Sequence, residues 1–154
     1  MAKCHTKYFG EMTYDEGAVW RFPAGLPGFE AEREFLPIEQ PATRPLIYLQ
    51  SLSDRDICFV GLPVQILDSS YRLDMADEDR ELIGLSPEFE LGPSTNGVLC
   101  VALISVRESG TTANLMAPVI ANLDTGRAVQ AISLSGRYSH QHPVGDRNGV
   151  PPCW

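Results

Sequence analysis

Val98-Leu99-Cys100-Val101-Ala102-Leu103-Ile104-Ser105-Val106-Arg107 contains the longest near-apolar stretch of the chain. Its two alternating sets, Val98/Cys100/Ala102/Ile104 and Leu99/Val101/Leu103, are both apolar. Successive side chains of a strand point to opposite faces, so a strand with two apolar faces is buried on both sides. The stretch is also far shorter than the ~18 apolar residues that signal a membrane helix. A central strand over 98–107 therefore organises the reading of everything around it.

Downstream, a second long strand is expected over about 112–123. Pro118 lies inside it and cannot donate to a ladder, which predicts an edge position or a bulge there. Asp124-Thr125-Gly126 turns the chain into a further strand over 128–134. Gly136 to Trp154 is rich in Gly, Pro, Arg and His and is expected to trail off as a loose tail.

Upstream, 46–51 and 57–62 read as a hairpin joined by the polar Leu52-Ser53-Asp54-Arg55-Asp56. Residues 17–22 read as a strand with Ala18, Trp20 and Phe22 on one face and Val19 and Arg21 on the other. The aromatic pair is expected in the core rather than as an exposed stacking platform. Leu26-Pro27-Gly28-Phe29 has the form of a type II turn, with proline presetting φ and glycine taking the positive φ. Leu26 and Phe29 are expected to anchor it.

One helix is expected, Asp77 to Ile83. Gly84 supplies its C-terminal stop and Leu85 the closing apolar contact. Ala76 occupies the usual capping position, so Asp74 or Asp77 is expected to cap. Pro87 to Gly97 reads as loop. Short strands, frequent Gly and Pro turns and one helix predict an all-β, mainly antiparallel fold: a small barrel-like domain with one short acidic helix.

The 154 residues argue for one domain able to bury roughly 70% of its unfolded surface. The start, Met1-Ala2-Lys3-Cys4-His5-Thr6, has no apolar signal-peptide core, so the expected location is the cytoplasm. Net charge is −8. Nucleic acid requires its phosphates to be neutralised, so direct binding to it is a poor match and a basic protein partner a better one. Residues 68–90 concentrate the charge: Asp68, Asp74, Asp77, Glu78, Asp79, Glu81, Glu88 and Glu90 face only Arg72 and Arg80, which makes −6 of the total. A solvated helix face and a docking surface both account for such a run.

Cys4, Cys58, Cys100 and Cys153 are widely spaced; Cys58 and Cys100 sit in apolar runs and read as small buried hydrophobes. No GxSxG, HExxH, GxxxxGK[ST] or GxGxxG occurs. His140 and His142, with Cys153 and Cys4-His5, are zinc-type ligands without the paired spacing of a zinc site, so no metal or other cofactor is expected. Asp77 and Glu81 share one helix face and do not converge across a cleft as an acid–base pair must. Ser51, Ser53 and Asp54 sit in a polar turn with no histidine near them in sequence. Asn114, between Ala113 and Leu115, is an amide in an apolar strand; it either fastens a loop or faces a ligand, and the first is favoured.

Four blocks recur in a familiar order. They are Tyr8-Phe9-Gly10-Glu11 with Phe22-Pro23-Ala24-Gly25-Leu26-Pro27-Gly28-Phe29-Glu30; Leu49-Gln50-Ser51-Leu52 with Phe59, Val60 and Pro63; Tyr71-Arg72-Leu73-Asp74 leading to Gly84-Leu85; and Thr112-Ala113-Asn114-Leu115-Met116-Ala117-Pro118-Val119 with Asn122, Tyr138 and Pro143. From Tyr8 to about Val144 the chain resembles the flagellar assembly factor FliW family. The resemblance implies a single barrel-like domain over 1–144 and a C-terminal tail over 145–154. It implies a non-enzymatic, chaperone-like cytoplasmic regulator that binds flagellin. When flagellin is depleted, the regulator binds and antagonises the translational regulator CsrA, touching neither RNA nor membrane. On this reading Asp77, Glu78, Asp79 and Glu81 contact CsrA, and Asn114 and Phe29 are further partner-contact candidates. The alternative from the residues alone is a small-ligand- or metal-dependent β-barrel enzyme using His140 and His142.

Overall fold

The computed structural model describes residues 1–91 and 97–145. Within them eleven strands follow one another: β1 (Ala2–Thr6), β2 (Gly10–Tyr14), β3 (Trp20–Arg21), β4 (Glu34–Ile38), β5 (Ile47–Ser51), β6 (Cys58–Pro63), β7 (Val98–Arg107), β8 (Gly110–Ala113), β9 (Val119–Asn122), β10 (Arg127–Gln130) and β11 (His142–Pro143). Two short helices, α1 (Val64–Leu67) and α2 (Asp77–Ile83), lie between β6 and β7. No described helix is long and apolar enough to cross a membrane.

Strands β3 to β7 pair in sequence, all antiparallel. β7 takes β9 on its other side, β9 pairs with β10, and β10 closes onto β3 in parallel. Seven strands thus form a closed barrel, and closure removes the free edges an open sheet would present. The β1–β2 hairpin forms its own small sheet.

β7 is the wall between two cores. Val101, with Leu99 and Leu103, faces the barrel interior and packs with Trp20, Phe22, Phe35 and Leu49. Cys100 and Ala102, with Val98 and Ile104, face an outer layer built from Tyr71, Met75, Ile83 and Leu115. The double-sided apolar pattern of 98–107 is the direct cause of this arrangement. Gly61 of β6 lies so close to β7 that a Cβ would stand 2.7 Å from Val101 Cγ1, so no larger residue fits.

The strand expected over 112–123 is broken in two. Ala113 pairs with Ile104 and Val119 with Val101, so five residues, 114–118, oppose two of β7. This is the bulge that Pro118 predicts. The expected strand 128–134 keeps its order only through Gln130. At the other end, 16–18 form a 3-10 turn capped by Asp15, whose Oδ1 accepts from Gly17 N at 2.9 Å. Ala18 is therefore exposed while Val19 joins Trp20 and Phe22 inside.

The stretch after Gly136 is not loose through Val144. Tyr138 stacks on Tyr71 with ring centroids 4.2 Å apart, Leu115 N donates to Ser139 O, and β11 adds to β8. Of the tail expected over 145–154, only Gly145 is among the described residues, and Cys153 lies outside them. Cys100 is buried, as its apolar neighbours predict, whereas Cys58 is half-buried.

Candidate functional site

Two surfaces gather the residues singled out above, and they do not share a residue. The first is α2. Ala76 is its N-cap residue and makes no side-chain cap, so neither Asp74 nor Asp77 plays that part. Asp77, Glu78 and Asp79 in the first turn instead place negative charge at the positive end of the helix dipole. At the other end Gly84 takes the left-handed conformation, φ 78°. Gly84 N donates to Glu81 O and Leu85 N to Arg80 O, the paired bonds of a Schellman stop.

A helix of seven residues is not stable alone and must be held. The turn joining β9 and β10 does this through three donors. Asn122 Nδ2 donates to Ile83 O at 2.8 Å, Thr125 Oγ1 to the same oxygen at 3.0 Å, and Arg127 Nη1 to Leu82 O at 3.2 Å. These are C-terminal carbonyls that the helix cannot satisfy itself. Of the three, Asn122 carried a signal in the sequence as part of a recurring block and Thr125 as part of the expected turn, whereas Arg127 carried none.

Clamped from behind, α2 turns Asp77, Glu78 and Glu81 to solvent. Asp79 is half-buried, and burial, with neighbouring Glu78 adding, raises its carboxyl above the ordinary carboxylate range. Among the described residues none of the four makes an ion pair. The two local arginines are engaged elsewhere: Arg80 donates to Phe89 O, and Arg72 lies 3.7 Å from Glu90. The outward face of α2 is therefore an acidic patch whose carboxylates make no ion pair among the described residues, with Arg80 beside Asp77 and Glu81 as its nearest cation on the helix.

The second surface is a groove of about 320 Å³ at one end of the barrel. Leu26, Phe29, Phe59 and Leu103 form its apolar floor, and Asn114, Arg107 and His140 stand on its rim. Leu26 and Phe29 do not share the anchoring role expected of them. Leu26 is 2% exposed and holds the turn in the core, while Phe29 is 40% exposed. Gly28 has φ 84° and Phe29 N donates to Leu26 O at 2.8 Å, as a type II turn requires. The turn thereby lifts Phe29 onto the edge of Phe59, with centroids 5.1 Å apart.

Asn114 takes the favoured role of fastening a loop, and it also lies on the groove. Its Oδ1 accepts from Ala117 N at 3.0 Å and ties the bulge, while its side chain lines the groove. Phe29 and Asn114, 85 positions apart in the chain, thus meet at one site, away from the acidic helix. His140 lies on the groove, whereas His142 pairs with Ala113 in β11. No three His, Cys, Asp or Glu side chains among the described residues converge as metal ligands. Ser51 Oγ is occupied in its own turn, accepting from Ser53 N and Asp54 N.

Comparison with known proteins agrees with this geometry. The family model described as FliW protein matches residues 3–144. The flagellar assembly factor FliW of Bacillus subtilis is 28% identical over 143 residues, covering 92% of this chain and 95% of that protein. The flagellar assembly factor FliW of Syntrophomonas wolfei is 32% identical over 139 residues, covering 88% of this chain and 83% of that protein. A crystal structure of the flagellar assembly factor FliW superposes with a TM-score of 0.79 at 28% identity, covering 92% of this chain and 96% of the other. A family model that spans residues 3–144, together with a shared fold over 92% of the chain, leads to one conclusion: the chain belongs to the FliW family of flagellar assembly factors.

Proposed function

We propose that the protein is a non-enzymatic, cytoplasmic regulator that binds flagellin and, when flagellin is scarce, binds a CsrA-type translational regulator and so relieves its repression of flagellin synthesis. Membership of the FliW family supports the flagellar setting. The single observation that carries the proposed contact is the exposed row Asp77, Glu78 and Glu81, without an ion pair among the described residues, on a helix fixed to the barrel. An RNA-binding partner offers basic surface, and charge complementarity of this kind speeds encounter and selects partners. Asp79 is half-buried and presents less of its carboxylate to a partner.

The test is the double reversal Asp77→Lys with Glu81→Lys, measured against CsrA across a salt series. The wild type is expected to lose affinity as salt rises. The variant is expected to bind roughly tenfold or more weakly at low salt and to show a flatter salt dependence. Equal affinity and an equal salt slope would remove the acidic helix from the interface.

A further inference from the structure

β7 leaves the barrel before it ends. Its ladder with β6 stops where Leu103 faces Gly61, yet β7 runs on to Arg107 beside β8. Asn114 N donates to Leu103 O, so Leu103, Ser105 and Arg107 direct their backbone groups toward β8. By the period of two, Val106 directs its N–H and C=O the other way, toward the 58–60 end of β6, with which β7 forms no pair beyond that of Gly61 with Leu103 among the described residues. Val106 is also exposed. A short open strand edge therefore borders the groove, in a barrel otherwise closed.

The groove beside it differs in charge from the rest of the molecule. The chain carries 20 acidic residues, yet none lines the groove, and Arg107 stands on its rim. Among the described residues Arg107 makes no ion pair. The apolar floor includes Phe29, a large side chain left 40% exposed at the tip of a well-built turn. The volume of about 320 Å³ is at the small end of ligand pockets, suited to a few side chains rather than a whole cofactor.

We infer that this groove is a second docking site, separate from the acidic helix, for an extended peptide segment of another protein that carries an acidic residue. The segment adds as a short strand beside Val106, sets alternate apolar side chains against Phe29 and Phe59, and pairs a carboxylate with Arg107. Main-chain bonds supply affinity in such strand addition, and the pockets under alternate side chains supply selectivity. The inference does not depend on the partner proposed for α2.

The experiment is selection of a phage-displayed random nonapeptide library on the full chain, with the enriched peptides then tested on three variants. Val106→Pro removes an N–H that points away from the β8 ladder and lies beyond the last β6 pair, and proline is tolerated on strand edges, so the fold is expected to survive. Enriched peptides should favour Asp and Glu over Lys and Arg and alternate apolar positions. They should bind Val106→Pro and Arg107→Glu at least tenfold more weakly, and should bind Asp77→Lys/Glu81→Lys as they bind the wild type. No enrichment over bare support would overturn the inference. So would peptides without acidic bias, or peptides that bind both groove variants unchanged. Should Val106→Pro fail to fold, the exposed Arg107→Glu decides alone: unchanged binding there refutes the carboxylate pairing. Loss of binding on the α2 double variant would place the peptide on the helix and refute a second site.

Discussion

Asn122 reaches from the end of β9 to Ile83 at the end of α2, its Nδ2 2.8 Å from the Ile83 carbonyl oxygen. Both residues are buried and 39 positions apart, and the same amide's Oδ1 accepts from Asp124 N at 3.1 Å. One side chain therefore fixes the β9–β10 turn and the acidic helix to each other. The position of the charged face follows from that bond and its two neighbours.

Replacement of Asn122 by Ala is expected to destabilise the protein by about 1–3 kcal/mol, from the loss of two hydrogen bonds, one to Ile83 O and one from Asp124 N. Urea unfolding measures it. Thr125→Ala should cost less, because Thr125 is exposed and shares its acceptor with Asn122. A smaller loss for Asn122→Ala than for Thr125→Ala would mean the clamp is not centred on the amide.

Gly84→Ala forces a Cβ onto a backbone with φ 78° and sets it 3.1 Å from Thr125 Cγ2. Strain and crowding both act against it, and a loss of more than about 1 kcal/mol is expected. Circular dichroism melts of the wild type and the variant compare the two directly. Equal midpoints would show that the helix stop is dispensable.

The two ends of the Leu26–Phe29 turn should respond differently to truncation. Leu26→Ala removes a fully buried side chain and is expected to cost about 2–5 kcal/mol. Phe29→Ala removes a half-exposed ring and should cost far less. Similar losses at the two positions would contradict a turn that buries one residue in order to present the other.

Stability should fall on the alkaline side. Tyr71 donates its OH to Leu115 O at 2.6 Å, and burial pushes its phenol up from the ordinary value. Burial also pushes the Cys58 thiol up to about 11. For both groups the folded state holds its proton at a pH where the unfolded chain, titrating near 8.5 for Cys and 10 for Tyr, has lost it. Their contribution is complete below pH ~8.5 and declines as pH rises toward 11, because the unfolded state then binds fewer protons. Denaturant melts from pH 7 to 11 should show this decline, made shallower by Tyr71→Phe. A flat profile would show that neither group titrates differently in the two states.

The elements read correctly are those whose cause is local. β7 announces itself because both alternating sets of 98–107 are apolar, and α2 because Gly84 and Leu85 end it. β1 and β2 give no such signal. Lys3, His5, Glu11 and Thr13 form an exposed face, the opposite face (Ala2, Cys4, Met12, Tyr14) is only half-buried, and the two short strands are held by pairing with each other. The bulge was legible from Pro118 alone, but the residues it brings together were not. Tyr71 meets Leu115 across 44 positions and Asn122 meets Ile83 across 39, contacts that no local pattern encodes. The acidic patch was visible as composition. Its exposure, and the lack of an ion pair from Arg72 or Arg80 to it, required the fold.

The central claim is a switch between two protein partners. Its most direct test is a titration of the purified protein with CsrA from the same cell, followed by addition of flagellin to the preformed complex. A saturable complex that flagellin dissolves is the predicted result. Absence of binding to either protein at low as well as high salt would contradict the account.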